Sequence, residues 1–264
     1  MLGYLRLYCL ISAATGLLAQ SPEIELPPYG SGPFQSTDQS HWSLFRNMAG
    51  MVNSDKCQIV LGYQLPYSQK ELQSLSLGII IPGTVIMGVS LFQSGTDILI
   101  NQQAALNTSM ALGMLSLGIR VKYWRTTVSG ITSLNSISMA AGMQIQLTDE
   151  ILAGVFMSNL TQSQLGNNET LPVIWQTGIS YKPVAKLVIL LEAGHVLGHQ
   201  WEFKSGIEYA LKEKFLARTG YNISNKRHYW GLGFLSDSFK IDYALDFHPY
   251  MGITHQAGIG YSWP

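Results

Sequence analysis

The chain has 264 residues, with 16 Lys and Arg against 16 Asp and Glu, and a formal net charge of zero. That balance excludes a nucleic-acid partner held by surplus positive charge, and the charged fraction of 12% is roughly half that of an ordinary soluble domain. Hydrophobic residues reach 47%, yet no uncharged apolar run of about 20 residues follows the N-terminus, which excludes helical membrane spans and leaves a closed β-sheet in lipid.

Residues 1–6 carry one positive charge, residues 7–18 are apolar, and Ala19 precedes Gln20 at a small-residue cleavage site. This reads as a secretory signal peptide over residues 1–19. Its removal leaves Cys57 as the single cysteine, so no internal disulfide is expected and no metal cluster surrounds it. Residues 20–56 form a distinct segment, first rich in Pro, Gly and Ser (Pro27, Pro28, Gly30, Gly32, Pro33). A stretch over 41–50 follows, with helical propensity but little amphipathic regularity.

From residue 57 to the end the pattern has period two, the strand signal. In residues 201–209, Trp201, Phe203, Ile207 and Tyr209 oppose Glu202, Lys204, Gly206 and Glu208. In residues 240–247, Ile241, Tyr243, Leu245 and Phe247 oppose Lys240, Asp242, Ala244 and Asp246. Residues 137–147 and 256–263 alternate likewise, setting apolar side chains against Gly, Ser and Gln. About fourteen such segments are predicted, starting near Cys57, Leu72, Thr84, Ile98, Leu115, Ser136, Ile151, Pro172, Lys186, Gln200, Phe215, His228, Lys240 and Thr254. The fold class expected is all-β: a transmembrane antiparallel barrel over 57–264, preceded by a short plug or helical segment. Even-numbered connections are expected to be tight (Pro82-Gly83, Leu112-Gly113, Thr148-Asp149, Pro183-Val184, Lys212-Glu213, Ser236-Asp237). Odd ones are expected to be longer, as over 126–135 and 162–171, which places both termini in the periplasm of an outer-membrane protein.

Alternation assigns Arg120, Lys122, Glu192, Glu202, Lys204, Glu208, Arg218, Lys240, Asp242 and Asp246 to the lumen. These are five acids and five bases. A single-sign selective pore does not look like that, and cross-strand ion pairs filling the lumen are expected. His195, His199, His228, His248 and His255 fall at predicted outer loops or their edges and read as polar rim residues. A zinc-binding or pH-sensitive rim is the sharper alternative. No nucleophile motif frames the serines and histidines near the rim, so no enzyme, cofactor or metal site is expected.

Three stretches resemble the PorV/PorQ-like family of outer-membrane barrels, relatives of the FadL-type long-chain fatty acid transporters. Residues 42–50 (WSLFRNMAG) resemble the family's ALF-x-NPAG segment, with Met48 at the proline position. Residues 171–183 (LPVIWQTGISYKP) are similar to its LPxxxxxGxxYxP strand. Residues 242–261 resemble its C-terminal hairpin, with Gln256 where the family has Arg. The resemblance implies a fourteen-stranded barrel of Bacteroidota and a scaffold or partner role in the type IX secretion system. The wider kinship implies a channel for small hydrophobic molecules, with Trp42, Leu44, Phe45 and Asn47 as plug residues in the lumen. Expected partners are membrane lipid or lipopolysaccharide, an outer-membrane protein and, for a channel, a hydrophobic small molecule.

Overall fold

The computed structural model describes residues 34–166 and 169–264, so the expected signal peptide and the Pro/Gly/Ser stretch lie outside the described residues. Two short 3-10 turns (His41–Leu44 and Met48–Asn53) precede the strands. The first seven strands are β1 (Cys57–Leu65), β2 (Ser74–Ile81), β3 (Ile86–Gly95), β4 (Leu99–Leu112), β5 (Leu115–Val128), β6 (Thr132–Gln146) and β7 (Ile151–Ser158). A two-stranded flap, β8 (Gln164–Leu165) and β9 (Glu169–Thr170), interrupts them. Then come β10 (Ile174–Val184), β11 (Leu187–Val196), β12 (Trp201–Lys212), β13 (Phe215–Asn222), β14 (Arg227–Leu235), β15 (Phe239–His248) and β16 (Gly252–Trp263).

Fourteen of these strands pair antiparallel with their neighbours in a closed barrel, and the flap stands apart. Closure joins β1 to β16 from Cys57↔Trp263 to Leu65↔His255, so the barrel has no free edge. That pairing also puts both ends of the barrel segment at one mouth, here the terminal end; the opposite mouth is the loop end. Strand count, order and most starting positions agree with the alternation of the sequence.

Two boundaries differ for physical reasons. The expected loop over 126–135 is mostly ladder: Thr126↔Leu134, Thr127↔Ser133 and Val128↔Thr132 pair, leaving a turn around Gly130. Threonines and serines looked like loop residues in sequence, but at the mouth of a barrel their polarity suits a strand rising clear of lipid. The turn expected at Pro183-Val184 falls instead after Val184. Pro183 sits in a register shift between Tyr181 and Val184, where its missing N–H breaks no ladder bond. The short-long rule therefore holds for the connections after β1 and β7, and fails where β3 meets β4, β5 meets β6 and β15 meets β16, whose turns are no longer than the even-numbered ones.

Inward and outward faces alternate as period two requires. Outward side chains such as Leu61, Leu91, Ile119, Phe203, Trp230, Leu232 and Ile241 are exposed, while Val60, Arg120, Phe156, Asp242 and Asp246 on the inward face are buried. Exposed apolar side chains on nearly every strand mark a wall facing lipid rather than water. Aromatic pairs stand near the terminal end, Phe215 with Phe234 at 5.2 Å and Phe239 with Tyr261 at 4.8 Å. Trp175, Trp201 and Trp230 stand exposed toward the other end, a girdle arrangement. Among the described residues no helix is long and apolar enough to cross a membrane.

Candidate functional site

The lumen is occupied by the chain's own N-terminal segment. Its first 3-10 turn is capped by Ser40, whose hydroxyl accepts from Trp42 N, and its second by Asn47, whose side chain accepts from Ala49 N. Arg46, between the two turns, ties the segment back to its own start: its Nη1 donates to Asp38 Oδ2 at 2.7 Å and to Phe34 O at 3.2 Å. A Cβ at Gly50 would lie 1.9 Å from Asp38 O, so only glycine lets the segment fold back on itself there. Trp42, Leu44, Phe45, Met48 and Met51 form one buried apolar cluster with Val60, Ile80, Ile86, Ala140 and Phe156 of the wall.

The wall is hollowed to receive this segment. Inward-facing glycines on many strands lie where a side chain would collide with it: Gly78 and Gly88 against Leu44, Gly118 against Met48, Gly142 against Asn47. Farther round, Gly178 faces Ser36, Gly206 faces Phe34, and Gly258 faces Trp42. The glycines of the polar face in the sequence are thus a groove cut to the shape of residues 34–51.

Polar groups of the wall then hold the segment at several points. Arg120 Nη2 donates to Leu44 O at 2.6 Å and Arg46 O at 2.9 Å, while its Nε donates to Asn107 Oδ1 at 2.6 Å. Glu192 Oε2 accepts from Gln35 N, Ser36 N and Ser36 Oγ, at 2.7–2.8 Å. Gln144 Nε2 donates to Ser36 O and Asp38 O. Asn47 Nδ2 donates to Val155 O at 3.1 Å, and Trp42 Nε1 donates to Asp242 Oδ2 at 3.0 Å. His41 Nε2 lies 3.4 Å from the same Asp242 oxygen.

The predicted lumen residues fall into two groups. Glu208, Arg218 and Asp242 form a chain, with Arg218 bridging Glu208 Oε2 at 2.5 Å and Asp242 Oδ1 at 2.6 Å. Lys204 stands 3.9 Å from both Glu192 and Glu202, and Asp246 pairs with Arg227. Lys240 lies opposite Gly260 on the same face of β15. The expectation of cross-strand pairs does not describe Arg120, which binds plug carbonyls, or Lys122, whose ammonium sits over the Trp124 ring at 4.7 Å. Trp42, Leu44, Phe45 and Asn47 are all buried in the lumen. Arg227 and Asn107 escaped the sequence reading, and Gln144 was set on the polar face of its strand without a role. Arg227 sits at a strand start, where parity is hard to assign, and neutral amides carry no charge signal.

The rim histidines do not converge. His195 stacks on Trp201 at 4.7 Å, His228 lies against Tyr221, and His255 Nδ1 meets Tyr243 OH at 2.8 Å, all pairs on the outer wall. His248 caps Tyr250 N and Met251 N. Among the described residues no group of three or more His, Cys, Asp or Glu is placed to hold a metal. At the loop end the flap lays Leu165 and Leu171 on inward-facing Trp124, with Leu134 packed beside them.

The sequence matches no protein-family model and no curated protein. Solved structures do share the architecture. The CymD monoaromatic hydrocarbon channel superposes with a TM-score of 0.75 over 92% of this chain and 98% of its own, at 12% identity. The Pseudomonas putida toluene transporter TodX gives 0.69 over 89% and 96%, at 13% identity. A Pseudomonas aeruginosa FadL homologue gives 0.57 over 88% and 94%, also at 13% identity. The chain has the fold of the FadL-type channels. At these identities the likeness is one of fold, and it lies on the FadL side of the expected kinship.

Proposed function

We propose that this protein is an outer-membrane channel for small hydrophobic molecules, shut in the described state by its N-terminal plug. The observation that carries the reading is the plug itself. An apolar cluster led by Trp42, Leu44 and Phe45 fills a lumen whose wall glycines are shaped to it. A permanently structural filler needs only bulk; here a separate segment is held by side chains it can leave without breaking a strand ladder. The FadL-type fold, and the apolar cargo in the names of CymD and TodX, support the same reading. With the longest connection and its flap facing the cell exterior, both termini lie in the periplasm.

The scaffold role in type IX secretion ranks below it. Of the three stretches that suggested that family, the first, with Leu44, Phe45, Asn47 and Gly50, is accounted for by packing inside this barrel. The test is toluene uptake into liposomes by the full mature chain and by a variant lacking residues 36–53. Faster uptake by the variant, with the barrel still heat-modifiable on gels, is the expected outcome. Uptake that does not rise above the intact protein overturns the channel reading.

A further inference from the structure

The outer wall carries a groove of about 830 Å³ that crosses six neighbouring strands, β16 and β1 to β5. That volume lies in the range of small-ligand sites, roughly 300–1,000 Å³. The groove lies between two rows of outward side chains that follow the ladder register. One row, deeper in the wall, is apolar, with Leu61, Leu77 and Leu91 side by side and small Ala104 leaving space. The other, one step nearer the loop end, turns polar through Gln93, Gln102 and Arg125.

That polarity is unusual for its position. Among the described residues Arg125 is the one Asp, Glu, Lys or Arg side chain pointing outward from the loop-end half of a barrel strand. The lumen cations Lys204, Arg218 and Arg227 have carboxylate partners, but no carboxylate among the described residues pairs with Arg125. Its Nε donates to Ser133 Oγ at 3.1 Å, which steadies the guanidinium against the wall. Gln102 Nε2 donates to Gln93 Oε1 at 3.0 Å, which leaves the Gln93 amide hydrogens and the Gln102 carbonyl unused by that bond. A charge on a lipid-facing wall is costly at the bilayer centre and tolerated near the headgroups, where a guanidinium fork suits phosphate.

We infer that this groove is a binding site for an anionic, phosphate-bearing membrane lipid, with an acyl chain against Leu61, Leu77 and Leu91 and the headgroup on Arg125. The site is on the outside of the wall and does not depend on the channel reading. Its occupant is a lipid because the groove opens to the bilayer, its two lips match a lipid's apolar and polar parts, and its cation awaits a negative charge.

The test uses the full mature chain in phosphatidylcholine vesicles, with spin-labelled phosphatidylglycerol and spin-labelled phosphatidylcholine as probes. Preferential immobilisation of the phosphatidylglycerol probe is expected. Arg125→Gln should reduce that preference about fivefold, the effect of one basic residue near an anionic headgroup. Ala104→Trp, which fills the groove and leaves the charge, should lower immobilisation of the phosphatidylglycerol probe as well. Both variants lie on the lipid face, and heat-modifiable migration verifies that they fold. Equal immobilisation of the two probes by the native protein overturns the inference, as does a preference that survives Arg125→Gln. If Ala104→Trp instead slows toluene uptake while the lipid preference stays intact, the groove is a passage through the wall and not a lipid site.

Discussion

A methyl group added at Gly142 meets Asn47 Oδ1 at 1.9 Å, and one added at Gly258 meets the Trp42 ring at 2.2 Å. Neither position has a positive φ, so it is space and not backbone freedom that demands glycine there. Gly142→Ala is expected to weaken plug docking by about 1–3 kcal/mol, the usual cost of overpacking. Limited proteolysis should then cut within residues 36–53 while the barrel stays resistant. Arg120 acts from the other direction, since its guanidinium satisfies two plug carbonyls at once. Losing charge-assisted bonds worth about 1.5–3 kcal/mol each, Arg120→Gln should speed hydrogen exchange over residues 44–53. Exchange rates equal to those of the native protein would show that apolar packing alone holds the plug. Alternation in the sequence placed both Arg120 and Glu192 inward. Their partners were illegible because Glu192 receives the amides of Gln35 and Ser36 from 157 and 156 residues away.

At the scale of elements, the plug is two 3-10 turns and not a helix. An interrupted path lets successive residues point to different strands, Trp42 to β16, Leu44 to β2 and β3, Asn47 to β6. A regular helix would offer one stripe to one side of the lumen. The flap of β8 and β9 is the second element outside the barrel ladder, seated by Leu165 and Leu171 on Trp124. Leu165→Asp would bury a carboxylate without a partner, so the flap should lift and expose Trp124 to water. Iodide quenching should rise in this variant and lose that increment when Trp124→Phe is added. Unchanged quenching would mean that the flap is not seated by this contact. The flap was read from sequence only as a long connection, because two-residue strands have no period to detect. The β5–β6 hairpin was foreshortened for the opposite reason, its outer rungs being built from Thr, Ser and Asn that imitate a loop.

For the whole molecule, stability depends on a lipid-facing wall closed by the β1–β16 ladder. Leu232 points outward between Trp230 and Phe234, and Leu232→Arg should destabilise the barrel by about 2–4 kcal/mol in a bilayer. Urea unfolding in lipid vesicles measures this, and a shift under half that size would argue against a bilayer around this face. What the sequence determined by itself was the wall: strand number, the two faces of each strand and the scarcity of charge outside. Those follow from a period-two pattern and from the energetics of lipid, both local properties of the chain. What only the tertiary structure decided was the interior. Closing the sheet brings residues 34–53 against strands up to about 220 residues later in the chain, and it turns scattered glycines into a mould for the plug. The groove bearing Arg125 has the same origin, because it exists only where the ends of the chain close the sheet and six strands lie side by side.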